Sequence, residues 1–310
     1  MNNSKFLKTL GNAAVVLSLV FVFKRLTALD IDKEIIWSGL VHVAWISFAC
    51  GILVFVSCVP WKAFVRIISG RSVPFVEAAW IFSKSNMMKY LPGNVFQFIG
   101  RNELAIRLNL SHADVAFATL CETALLMIAI LLTTVLLDRQ GITKWLARYG
   151  FSGFYFLFIV FIVAAIVAVF LWKKHYDILQ KLTAKLKVFF TMRSVKAILA
   201  CSLYCSFLII SFAALFFAVL SKILQADIAY RMVPLVLSAY MLSWVAGFIV
   251  PGAPGGIGIR EATLTLLLAD VVPLDSALLA AVIFRFISIL GDFWGLLFAW
   301  VMMTLSKAST

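Results

Sequence analysis

The sequence predicts an all-α polytopic membrane protein, and three observations carry that prediction. Hydrophobic residues make up 64% of the 310 and charged residues 13%, whereas soluble domains average about 45–50% and about 25%. Mean hydropathy is +1.05, and several nearly uncharged runs reach the roughly 18 residues that a transmembrane helix needs. Two further apolar stretches are broken by proline and glycine beside charged residues, and broken backbone is tolerated at membrane depth only where protein buries it or water reaches it. The short alternating segments of a β-barrel are missing. We expect a single membrane domain over 1–310, with about 6 full spans and two re-entrant hairpins, about 8 membrane segments in all.

The formal net charge of +13 is expected of cytoplasmic loops that face anionic lipid rather than of a nucleic-acid binder. Cys50, Cys58, Cys121, Cys201 and Cys205 all lie in apolar sequence without a CxxC pair, so they read as small apolar residues. The three histidines are scattered and form no zinc motif, and no Walker A lysine occurs, so neither metal nor cofactor is expected.

In chain order, Leu10–Phe23 reads as a short uncleaved first span between Lys5, Lys8 and Lys24-Arg25. Ile35–Val59 is the second, with Trp37 and Trp61 placed as interfacial aromatics, and a basic cytoplasmic loop follows. Phe75–Tyr90 is too polar for a lipid-facing span. Leu91-Pro92-Gly93-Asn94 breaks it, and Val95–Leu110 carries Gln97, Arg101, Asn102, Glu103 and Arg107. This is the first hairpin. Ser111-His112-Ala113-Asp114 fits a capping box that opens a span to about residue 137, with Glu122 inside it. Phe151–Trp172 is another span. Residues 173–196 hold seven Lys/Arg, with Leu179, Leu182 and Leu186 at helical spacing, and predict an amphipathic helix on an anionic leaflet. Ala197–Leu220 spans again. The second hairpin follows, from Val233–Val250 through Pro251-Gly252-Ala253-Pro254-Gly255-Gly256-Ile257-Gly258-Ile259-Arg260-Glu261. Asp275 is expected to cap a final segment, 276–305, that carries Arg285 and Asp292 and is long enough to kink at Gly291 or divide in two.

The two hairpins, about 72–137 and 232–305, look like repeats. Each reads Pro-Gly, then Gly, Arg and Glu, then a capped helix with a charge inside. With both termini in the cytoplasm, loops assigned inside hold 13 Lys/Arg against 8 outside. The hairpins then enter from opposite faces, which is an inverted repeat. Glu122 and Arg285 are expected to avoid lipid, as partners in an ion pair or as the wall of a polar path. Arg101, Arg260 and Lys89, with Asn94 and Gln97 nearby, are candidate headgroup contacts because they sit beside broken backbone whose amides favour phosphate. The competing expectation is that Arg101 and Arg260 pair with their neighbours Glu103 and Glu261. The GxG spacing is no dinucleotide fingerprint, since no strand precedes it.

Tyr90-Leu91-Pro92-Gly93-Asn94, Gly100-Arg101, Glu122, the stretch Pro251–Ala262 and Arg285 together resemble the lysylphosphatidylglycerol synthase transmembrane-region family, also called flippase-like. The resemblance covers nearly the whole chain. It implies about eight membrane helices or half-helices and movement of lipids between leaflets of the bacterial inner membrane. The chain ends soon after the last span, so it is expected to stand alone, without the soluble synthase domain that attaches an amino acid to phosphatidylglycerol. The expected substrate is an anionic phospholipid or a lipid-linked envelope precursor. Without a nucleotide-hydrolysis motif, movement would be downhill or coupled to ions or protons. Two alternatives remain. One is a membrane transferase on a lipid-linked sugar, using Glu103 or Glu261 as acid or base. The other is an accessory subunit that recruits a soluble envelope-biosynthesis enzyme through residues 173–196. No catalytic motif supports an enzyme.

Overall fold

A computed structural model describes residues 33–90, 95–139, 141, 143, 189, 191–249, 256 and 258–308. The expected spans 10–23 and 151–172, residues 173–188 and 190 of the basic segment, and Leu91–Asn94 and 250–255 lie outside them.

Every element among the described residues is a helix: α1 (Lys33–Val56), α2 (Cys58–Ser69), α3 (Phe75–Asn86), a 3-10 turn (Met87–Tyr90), α4 (Phe96–Ile106), α5 (His112–Leu137), α6 (Met192–Ala218), a π-helical turn that continues it (Val219–Ile223), a second 3-10 turn (Tyr230–Met232), α7 (Val233–Ile249), α8 (Ile259–Leu267) and α9 (Leu274–Ala308). Five stretches are long and apolar enough to cross a membrane: 39–69, 112–137, 192–223, 230–249 and 274–308. With their hydropathy they make this a multi-pass membrane protein.

Several boundaries follow directly from local chemistry. Ser111 caps α5 as its sequence predicts, its Oγ accepting the Asp114 N–H at 3.1 Å. Thr191 caps α6 in the same way through Ser194. Gly70 ends α2 at φ 71°, a left-handed cap that glycine adopts without a Cβ clash. Residues 60–69, expected as a loop, are helical. Their apolar side, Trp61, Phe64 and Val65, is buried against α3 and α5. Trp61 is therefore no interfacial anchor. It is fully buried, and its Nε1 donates to Thr119 Oγ1 at 3.1 Å.

α9 is one unbroken helix of 35 residues, about 52 Å long at 1.5 Å per residue. It begins at Leu274, so Asp275 sits in its first turn instead of capping it. Gly291, expected as a kink, is a packing surface. A Cβ there would lie 2.5 Å from Cys50 Cβ of α1, and one at Gly295 would lie 2.7 Å from Val54 Cγ1. Small residues four apart let two membrane helices approach this closely, and α1 and α9 form the most extensive helix pair among the described residues. Four cysteines are buried and Cys121 is half-buried, all as free thiols.

Two sets of elements share one order: a helix, a stretch of sequence with proline and glycine, a short helix and a long helix. They are α3, α4 and α5 in the first half and α7, α8 and α9 in the second. Packing is crosswise as well. The long helix of each half lies on the first helix of the other, α9 on α3 and α5 on α7. One core gathers around Phe216, Tyr240 and Phe284 of α6, α7 and α9, with ring centroids 5.3–5.6 Å apart. A second lies among α2, α3, α4 and α5. The space between the two halves is the candidate site.

Candidate functional site

A cavity of about 180 Å³ lies between the halves, lined from α3, α4 and α5 on one side and from α6, α7, α8 and α9 on the other. Of the residues singled out in the sequence, Lys89, Gln97, Arg101, Glu122, Arg260, Glu261 and Arg285 all reach its wall. Glu103 does not. It is exposed on α4, because a residue two positions from Arg101 projects about 200° around the helix from it. Gly256 and Gly258 flank the start of α8 at φ 76° and 84°. Pro92, Gly93, Asn94, Pro251, Gly252, Pro254 and Gly255 lie outside the described residues.

The ion pairs differ from both pairings expected of the sequence. Glu122 binds Arg101 (Nη1 to Oε2, 3.2 Å), not Arg285. Arg285 binds Glu261 (Nη1 to Oε1, 3.2 Å). Each pair joins a short helix to the long helix that follows it, with the signs exchanged: the short helix supplies the cation in the first half and the anion in the second. Arg101 is walled in, 3% exposed, with its guanidinium over Phe82 at 4.0 Å and Trp61 at 5.9 Å. Its Nε reaches Ser85 Oγ at 3.4 Å. It acts as a brace between α3, α4 and α5 more than as a free headgroup contact. Glu261 has two tasks, since Oε2 also accepts the Gly258 N–H at 2.6 Å, closing the first turn of α8.

A third cluster centres on Asp292, which the sequence marked only as one acid in the last segment. Its carboxylate is 2% exposed and is closed by three donors from the end of α3 and the following turn. Lys89 Nζ lies at 2.7 Å and Asn86 Nδ2 at 2.8 Å, and the Tyr90 hydroxyl also donates to it. Such satisfaction is what allows a carboxylate to be buried. It ties the end of α3 and the following turn to α9 directly behind the cavity wall. An acid beside a small-residue surface in an apolar span was the available signal for this site.

Arg260 is different. Among the described residues it makes no ion pair or hydrogen bond, and its Nε is fully buried without a partner. Its guanidinium lies 5.2 Å from the centroid of Trp244, which stacks on Phe248 at 5.7 Å. Gly247 and Gly256 form the slot for its stem: a Cβ on Gly256 would come within 2.9 Å of Nε, and one on Gly247 would overlap the side chain at Cγ. A guanidinium is not deprotonated in proteins, so Arg260 stays a cation. The cavity thus presents one uncommitted cation beside an aromatic wall. No group of three or more His, Cys, Asp or Glu side chains that could hold a metal occurs among the described residues.

No curated protein matches the chain. The family described as Lysylphosphatidylglycerol synthase TM region matches residues 10–293, and the chain belongs to that family.

Proposed function

We propose that this protein is a lipid translocase of the inner membrane, which carries an anionic phospholipid or lipid-linked envelope precursor between leaflets while its acyl chains stay in lipid. The observation that carries this reading is Arg260, a buried cation on the cavity wall with no carboxylate of its own. A charge at that depth is expensive unless something compensates it, and an anionic headgroup would. Membership in the family, with its link to lipid and envelope biosynthesis, supports the same direction. The cavity is smaller than the about 300–1,000 Å³ of pockets that enclose whole drug-sized ligands, which suits a headgroup and not a whole lipid.

The two halves would be re-entrant hairpins of an inverted repeat, entering from opposite faces with the termini in the cytoplasm. The shared element order, the crosswise packing and the sign-exchanged ion pairs all support that arrangement. Two-fold related halves that meet at a central site are the plan by which many transporters expose one site to either side. The Arg101–Glu122, Arg285–Glu261 and Lys89–Asp292 pairs would hold the halves to the site while Arg260 holds the cargo. Liposomes that contain the purified protein and a fluorescent phospholipid provide the test. Protein-dependent leaflet exchange that falls in Arg260→Ala is the expected result, and its absence with every anionic lipid tried would count against translocation.

A further inference from the structure

We infer that the headgroup accepted by this cavity carries one net negative charge, on a phosphodiester, and no cationic group, its remainder being neutral and hydroxyl-bearing. This inference rests on the translocase reading. It follows from the charge balance of the site. Among the described residues, four cations (Lys89, Arg101, Arg260, Arg285) and three carboxylates (Glu122, Glu261, Asp292) stand in or directly behind the wall. Each carboxylate is closed by a cation at 2.7–3.2 Å, so four against three leaves the charge of Arg260 alone. One phosphodiester compensates it.

A headgroup with an ammonium would have to take a carboxylate from one of these pairs, leaving the displaced cation buried without its counter-charge, which is costly. The neutral surface of the cavity fits hydroxyls instead. Ser243 and Ser288 spend their own protons on the Tyr240 and Phe284 carbonyls, both at 2.7 Å, so their oxygens can only accept. Gln97 adds an amide that can both donate and accept. Trp244 and Phe248 add an apolar stretch of wall.

The test is competition in nanodiscs of phosphatidylcholine. Phosphatidylglycerol, phosphatidylethanolamine and lysyl-phosphatidylglycerol of equal acyl chains are added in equal amounts, and lipids retained by the protein are counted by native mass spectrometry. Phosphatidylglycerol should exceed each of the others by about tenfold or more, and the excess should fall to near one in Arg260→Gln but persist in Arg260→Lys. If the wild-type protein retains lysyl-phosphatidylglycerol or phosphatidylethanolamine as well as phosphatidylglycerol, and Arg260→Gln lowers all three, the charge inference is wrong and the lipid site stands. If no lipid is retained in an Arg260-dependent way, the translocase reading fails with it. Free glycerophosphoglycerol that displaces phosphatidylglycerol at equal concentration would show that the ligand is a soluble phosphodiester and overturn the lipid reading alone. Wild-type selectivity decides the charge inference even if Arg260→Gln does not fold.

Discussion

Arg260 owes its position to two glycines and one indole. Gly247 and Gly256 leave room for its stem, and Trp244 faces its guanidinium. Gly247→Ala should therefore lower leaflet exchange about as much as Arg260→Ala does. The second substitution should add little to the first, because both act on one side chain. Full additivity in a double-mutant cycle would show that Gly247 acts elsewhere. Arg101 predicts something else. It is buried and its counter-charge is Glu122, so Glu122→Gln should destabilise the protein by about 3–5 kcal/mol, read by denaturation in detergent. The paired change Arg101→Met with Glu122→Leu should recover most of that loss, and a double variant as unstable as the single one would contradict the bracing role. The sequence made these charges conspicuous but not their partners. Adjacent residues on a helix project about 100° apart, so Arg260 and Glu261 reach different neighbours: Glu261 turns to Arg285 and Arg260 to Trp244. Pairing is set by which helices meet, and that information lies far apart along the chain.

Apolar run length made most of the helices legible, and it located α1, α5, α6 and α9 to within a few residues. It failed where burial by protein replaces burial by lipid. α2 carries Lys62 and Arg66 and looks like a basic loop, yet its apolar side packs into the core formed with α3, α4 and α5. At Gly291 the error was one of mechanism. An isolated glycine costs a helix only about 1 kcal/mol, and here it gains close contact between α9 and α1. Gly291→Leu should accordingly lower thermal stability, by about 1–3 kcal/mol as other overpacked sites do, through loss of the α1–α9 contact. An unchanged melting temperature would show that the helices can separate at that point without cost. Asp292 lies one residue further along α9, so the same helix both packs on α1 and carries the carboxylate that holds Lys89, Asn86 and Tyr90. A rigid, closely packed helix suits that role, because a buried carboxylate keeps three donors only if both sides are fixed.

In the whole molecule the two halves meet crosswise, α9 on α3 and α5 on α7, and the cavity lies between them. The proposed inverted repeat makes a direct prediction about sidedness. Arg107, after α4, and Asp270, after α8, are both exposed and correspond in element order. Single cysteines at these two positions, in a background without the native cysteines, should react with impermeant reagents from opposite faces of the membrane. Labelling from one face would rule out the inverted arrangement. Translocation itself is tested most directly by leaflet exchange in liposomes, with wild-type protein and Arg260→Ala compared at equal, verified incorporation. Rapid exchange of fluorescent phosphatidylglycerol is expected with the wild type, and a loss of about tenfold or more in the variant. Exchange at the same rate in both would show that Arg260 does not hold the lipid headgroup in transit.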